Sequence, residues 1–203
     1  MLRWRHVPAE LSLFDSLTDL ASYHPKAEAD PARIPSAVSI ICVRDPDALL
    51  LIRRSEREGD PWSGQLGLPG GRKSPQDPDL LTTAIRETQE EVGIELRPSE
   101  LAGTLDDLVP STVLLPRIKV RPFVFLLSAR PTLFPNIEVA SSWWVTLEEM
   151  LSPGVYGSYQ VRGRDFAMSR PGYRLEEGVV WGMTERILTP FFERLAHWPD
   201  ARP

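Results

Sequence analysis

The stretch "RETQEEVGI", residues 86–94, sets Glu87, Glu90 and Glu91 within five positions of one another and closes on Gly93. It ends a longer run, 79–92, that has no glycine or proline and carries Leu80, Leu81, Ala84, Ile85, Thr88 and Val92. That spacing predicts an amphipathic helix, with Gly93 as its stop. On a helix Glu87 and Glu91 lie one turn apart and Glu90 lies three residues from Glu87, so all three share one face spread over about 100°. Like charges at this spacing cost about 0.2–0.5 kcal/mol per pair in an isolated helix, and Arg86 offsets part of it through Glu90. The triplet alone would suit a solvated acidic face. The complete apolar face of the same helix, the preceding "LPGGR" and the abrupt stop argue for more. Clustered carboxylate oxygens are what a hard divalent cation requires, and Mg²⁺ takes only a few of them beside phosphate oxygens and water.

Working outward, "SAVSIICVR" and "ALLLIRR" read as two strands joined at "DPD", a hairpin. A loop rich in glycine, proline and arginine follows over 54–79. Beyond the helix, "ELAGTLDDL", "IKVRPFVFLL" and "SSWWVTL" read as strands and "LEEML" as a short helix. Residues 153–178 read as irregular, with glycines interrupting two weak strand signals. "VVWGMTERILTPFFERLAHW" reads as a closing amphipathic helix, with Pro190 as a candidate break. Residues 8–22 repeat apolar positions at helical spacing and predict an N-terminal helix, followed by a proline-marked connector. The expected organisation is a helix and connector over 1–35 and one compact α/β domain over 36–203.

The 203 residues are 42% hydrophobic and 25% charged, with a formal net charge of −5. That balance speaks against nucleic acid or anionic membrane as a partner. No run nears the roughly 20 apolar residues of a membrane helix. The one cysteine, Cys42, sits in an apolar run and reads as a small buried hydrophobe. A cytoplasmic protein is expected. His6, His24 and His197 show no metal-ligand spacing, and Asp106 and Asp107 read as a turn or strand end.

Residues 70–94, "GGRKSPQDPDLLTTAIRETQEEVGI", resemble the Nudix box, Gly-x5-Glu-x7-Arg-Glu-U-x-Glu-Glu-x-Gly-U with U apolar. Gly71 matches its first glycine, and Arg86, Glu87, Glu90, Glu91, Gly93 and Ile94 match its second half without a gap. Asp77 stands in place of the first glutamate, one extra residue precedes Arg86, and Thr88 takes an apolar position. The resemblance implies an α/β/α sandwich with a mixed sheet between helices. It implies a hydrolase that uses Mg²⁺ or Mn²⁺ to split a diphosphate in a small nucleotide substrate. Glu87 and Glu91 would be the principal metal ligands, joined by the Gly71 carbonyl, with Glu90 as a further ligand or as the base. Arg86 would hold a glutamate in place. A homodimer is compatible with it.

Upstream, Leu50, Leu51, Arg54, Ser55, Gly64, Pro69, Gly70 and Gly71 resemble the added signature of the coenzyme A pyrophosphatase subgroup, which implies coenzyme A or acyl-coenzyme A as substrate. ADP-ribose or a dinucleotide is the alternative, and a non-catalytic nucleotide-binding regulator is a third reading that the retained glutamates disfavour. Arg53, Arg54, Arg57, Arg72 and Lys73 bracket the acidic helix and suggest phosphate contacts, Arg54 first among them. Glu138 sits where the family often supplies another glutamate, just before the Trp143–Trp144 pair.

Overall fold

The computed structural model describes residues 17–110, 115–162 and 167–197. Most of the helix expected over 8–22 lies outside these residues, and Thr18–Ser22 forms a short 3-10 turn.

The two apolar runs read as a hairpin form β1 (Ile34–Val43) and β2 (Ala48–Arg54), and the strongest strand signal forms β6 (Ile118–Leu127). β1 is central. It lies parallel to β6 along its full length, from Ile34 opposite Ile118 to Val43 opposite Leu127. The hairpin departs from the expected form: β1 and β2 pair only at Cys42–Leu49 and Val43–Ala48, then diverge. The chain fills this fork with β3 (Leu66–Gly67) on the β2 arm and β4 (Gly70–Arg72) on the β1 arm. The loop read over 54–79 thus contributes two sheet strands, too short to show a sequence period. β5 (Leu101–Thr104) extends the far edge beside β6, and β7 (Val139–Thr146) lies along the outer edge of β2.

Alternation along the strands divides the core into two layers. Ala37, Ile41, Leu50, Ile52, Phe123 and Phe125 face α1 (Leu80–Val92), against its Ala84 and Val92. Asp79 caps α1 by accepting from the Thr82 N–H at 2.8 Å, and Gly93 ends it in the left-handed region at φ 74°. Thr88, which takes an expected apolar place, donates to Ser39 at 2.8 Å, and Ser39 donates to the Ala84 carbonyl at 3.3 Å. The hydroxyl is buried but satisfied, which is why it is tolerated there.

Ile40, Cys42, Leu49, Leu51 and Val124 face the other way. Cys42 is fully buried, as expected. α2 (Leu147–Leu151) matches its expectation. Residues 153–178 do not. They hold β8 (Tyr156–Arg162) and β9 (Ala167–Leu175), which with β10 (Gly178–Trp181) form a three-stranded antiparallel sheet. Gly157 and Gly172, which made this region look irregular, are cross-strand partners, and a Cβ on Gly172 would lie 2.7 Å from the Val180 carbonyl oxygen. They are close-approach glycines within strands, not breaks. The closing helix is also shorter than expected: Val179–Trp181 belong to β10, and α3 (Met183–His197) runs through Pro190 without a break. Its buried Ile187, Leu188, Phe191, Phe192 and Leu195 anchor both halves, outweighing the one hydrogen bond that proline removes. A mixed sheet flanked by helices is therefore present as predicted, with the small second sheet an addition.

Trp143 and Trp144 face opposite sides of β7, each against one core layer. Asp106 and Asp107 anchor the connector: Tyr23 donates to Asp106 at 2.6 Å, the Glu28 N–H to Asp107 at 2.8 Å, and Arg121 forks onto Asp107 at 2.7 and 2.8 Å.

Candidate active site

The fork between β1 and β2 opens into a cleft of about 670 Å³. α1 crosses its polar end, so the acidic face read from the sequence meets the backbone of Gly70 and Gly71. Glu91 is 2% exposed and accepts from the Gly70 N–H at 2.8 Å. Burial pushes its carboxyl up to about 7, against the pull of the Gly70 N–H and Arg54, and Glu87 and Glu138 push the same way. Burial also raises Glu87, although the Arg86 guanidinium opposes it. Gly70 is required by the backbone beside it, and Gly71 leaves room for the Glu87 carboxylate. A Cβ on Gly71 would lie 2.4 Å from the Glu87 carboxyl carbon, and one on Gly70 would lie 2.2 Å from the Ala37 carbonyl oxygen.

Arg86 is the bracket of this region. It forks onto Asp77 at 3.0 and 2.9 Å and reaches Glu87 at 2.8 Å and Glu90 at 2.9 Å. Asp77 is buried and also accepts from the Ser74 N–H and the Thr83 hydroxyl, each at 2.9 Å. The Arg86 guanidinium leads these donors in holding its carboxyl below the usual carboxylate range. The aspartate in the glutamate's place therefore ties the extended loop to α1.

Glu138 is built in from a different element. The loop before β7 caps the end of α1, with the Phe134 N–H on the Val92 carbonyl at 2.8 Å and the Asn136 N–H on the Glu91 carbonyl at 3.0 Å. Asn136 Oδ1 then accepts from the Glu138 N–H at 2.8 Å, and the Ser55 N–H donates to the Glu138 carbonyl at 2.8 Å. The Glu138 carboxylate pairs with Arg57 at 2.9 Å.

Of the residues singled out from the sequence, Gly71, Glu87, Glu91, Glu138, Arg54, Arg57 and Arg72 line the cleft. Four do not. Glu90 turns away with its side chain 54% exposed and paired to Arg86. Arg86 lies behind the glutamates. Arg53 donates to the carbonyls of Gly64 and Glu177, and Lys73 donates to the Asp77 carbonyl at 2.5 Å. Arg54, the cation favoured from the sequence, is committed to Asp60 at 2.9 Å and stands 4.0 Å from Glu91. The Arg72 carbonyl accepts from Arg86 at 3.3 Å, while its guanidinium has no hydrogen bond or ion pair with a described residue.

Among the lining residues given no role from the sequence are Glu58, Asp60 and Trp62, in a loop that no periodicity marks; the dipeptide "DP" before a tryptophan was the only signal.

Among the described residues no three His, Cys, Asp or Glu side chains stand close enough to enclose a metal by themselves. The donor set nonetheless fits a hard cation that shares its shell with substrate, since Mg²⁺ takes one or two carboxylates plus phosphate oxygens. Glu58, Asp60, Glu87, Glu91 and Glu138 face the cleft against Arg54, Arg57 and Arg72. The carboxylates outnumber the guanidiniums, so a diphosphate enters favourably only with added positive charge. No described helix is long and apolar enough to cross a membrane.

A family model described as the NUDIX domain matches residues 33–162. The chain is 36% identical over 71% of its length to an uncharacterized protein of Schizosaccharomyces pombe, and it spans 51% of that protein, about half. It is 31% identical over 83% of its length to the mouse protein named mitochondrial coenzyme A diphosphatase NUDT8, of which it covers 80%. Among solved structures, a MutT/nudix family protein from Enterococcus faecalis matches 92% of this chain and 70% of its own, with a TM-score of 0.61 at 18% identity. That last likeness is one of fold.

Proposed function

The chain belongs to the Nudix family, and from that premise we propose that it hydrolyses the diphosphate bond of coenzyme A or an acyl-coenzyme A. The products are 4′-phosphopantetheine, or its acyl form, and adenosine 3′,5′-bisphosphate. The observation that carries the hydrolase reading is the meeting of two partly or wholly buried carboxylates, Glu87 and Glu91, with the Gly70–Gly71 backbone in one cleft. The coenzyme A reading is supported by the similarity to a relative named for that activity. The single buried thiol suits a reducing, cytoplasmic setting.

Glu87, Glu91 and the Gly71 carbonyl are the groups that would hold Mg²⁺ or Mn²⁺. Bound there, the ion neutralises the diphosphate and makes a water more acidic. Arg72, whose side chain has no partner among the described residues, takes a phosphate oxygen and orients the diphosphate against the two glutamates. Glu138 accepts the proton of the attacking water, released from Arg57 as substrate phosphate replaces it. Arg86 acts through Glu87, fixing its rotamer from behind. Glu90, offered by the sequence as ligand or base, takes neither role in this reading and serves as the outer partner of Arg86.

The test is a screen of nucleoside diphosphate derivatives with Mg²⁺ and with Mn²⁺, read by product mass. Release of phosphopantetheine with the highest kcat/KM on coenzyme A compounds is expected. A higher kcat/KM on ADP-ribose or a dinucleotide would overturn the coenzyme A assignment, and no turnover of any diphosphate would overturn the hydrolase reading.

A further inference from the structure

The cleft lining is mixed in character. It carries the carboxylates and guanidiniums already described. It also carries Leu68, Ile118, Met183, Ile187 and Trp62, which belong to or pack against one core layer. Trp62 is the one aromatic side chain among the described lining residues. It is half-buried, packs against the core layer beneath β8–β10 and lines the cleft. An amphipathic cleft that combines charged groups with a single aromatic side chain suits a ligand that carries both a charged group and a flat one.

The loop bearing this ring is tightly bound. Its base is closed by the Arg54 N–H on the Gln65 carbonyl at 3.0 Å, and its tip by the Gln65 N–H on the Trp62 carbonyl at 3.1 Å. Asp60 links it to the charged groups of the cleft. One carboxylate oxygen of Asp60 accepts from the Trp62 N–H at 3.0 Å, and the other accepts from Arg54 at 2.9 and 3.3 Å. Arg54 in turn stands 4.0 Å from Glu91. Burial works against charge on Asp60, but the Trp62 N–H and Arg54 outweigh it and hold the carboxyl below its usual range. A continuous set of contacts therefore links the Trp62 backbone through Asp60 and Arg54 to Glu91.

We propose that Trp62 is the platform on which the base of a nucleoside diphosphate substrate stacks, with Asp60 and Arg54 as positioning residues that set its distance from Glu91. The proposal rests on the reading of the cleft as a nucleoside diphosphate site and adds which side chain takes the base. A base offers a π-face to an indole, and such stacking is worth about tenfold to a hundredfold in affinity. A pantetheine arm is flexible and aliphatic and gains little from an aromatic plane.

The experiment measures equilibrium binding of AMP, ribose 5-phosphate and 4′-phosphopantetheine to the wild type, Trp62→Leu and Trp62→Phe, with thermal melts as the folding control. Trp62→Leu should weaken AMP binding about tenfold or more, and Trp62→Phe should restore most of it. Ribose 5-phosphate, which has no base, should bind all three alike. Asp60→Ala should weaken AMP binding in the wild type but add nothing in the Trp62→Leu background, because its effect passes through the ring. Unchanged AMP affinity in Trp62→Leu, no measurable AMP binding by the wild type at millimolar concentration, or equal losses for AMP and ribose 5-phosphate would each overturn the platform. So would loss of 4′-phosphopantetheine binding with AMP binding intact, which would put the arm on the indole. Additive losses in the double variant would overturn the positioning role. Since binding is read without turnover, a protein that failed the hydrolysis screen would still report on Trp62, and an active one could still refute it.

Discussion

At the scale of single residues, the glutamates of one helix have parted company. From spacing alone they share a face; in the fold Glu91 is buried against Gly70, Glu87 is held between Gly71 and Arg86, and Glu90 faces outward. Burial, more than mutual repulsion, is what Glu91 costs. Its folded carboxyl is raised to about 7 from an ordinary 4.5. Between those values the folded protein keeps a proton that the unfolded chain has released. Stability attributable to this group is therefore full below 4.5 and lost as pH rises through about 7. Glu91→Gln should abolish turnover and raise the stability of the metal-free protein at pH 8 by about 1–3 kcal/mol, with the gain shrinking toward zero near pH 4.5. Thermal melts in chelator across that range check it; a gain that did not depend on pH would refute the burial argument. The cations have parted as well. Because Arg72 is uncommitted and adjoins Gly71, Arg72→Ala should lower kcat/KM by about tenfold to a hundredfold. The loss should be equal for coenzyme A and its 3′-dephospho form. A loss confined to coenzyme A would place Arg72 on the 3′-phosphate instead.

Among elements, the fork matters most, because β1 and β2 separate just where the two glycines must pass. The two positions carry different constraints. Gly71 has ordinary backbone space, and an added methyl meets only the mobile end of Glu87; Gly70, at φ 151°, would drive a methyl into the Ala37 and Val38 backbone. Gly71→Ala should therefore fold with its melting midpoint nearly unchanged and lose most of its activity as Glu87 is displaced. Gly70→Ala should lose about 2 kcal/mol or more of stability. Denaturant midpoints and kcat measured on both variants separate the two; equal destabilisation would contradict the geometry. The same logic explains where element reading failed. β3 and β4 are too short for a period to appear, and β8 and β9 carry glycines that sequence rules treat as punctuation. In each case pairing with another strand supplied what local preference did not.

For the molecule as a whole, the cleft's excess of carboxylates predicts a stability that depends on cations. Mg²⁺ or Mn²⁺ should raise the melting midpoint by mass action at matched ionic strength, and Glu91→Gln should remove most of that rise. An equal rise in the variant would place the ion elsewhere. Much was legible beforehand. The helix with its stop, β6, β7, α2 and the buried Cys42 follow from short-range periodicity and turn chemistry, which act within a few residues and so are written locally. So was the identity of the acidic face, because helix geometry fixes which side chains neighbour one another. What the sequence could not decide was which charges would spend themselves on each other. Arg54 with Asp60, Arg57 with Glu138, Arg86 with Asp77 and Lys73 with a carbonyl are settled only when separate loops converge on the β1–β2 fork. The same convergence left the Arg72 side chain without a partner among the described residues, turned Glu90 outward and brought Trp62 to the cleft wall. Residue types and local spacing set the chemistry available, but burial and pairing are properties of contacts between distant segments. Only the tertiary structure could assign each carboxylate and each cation its partner.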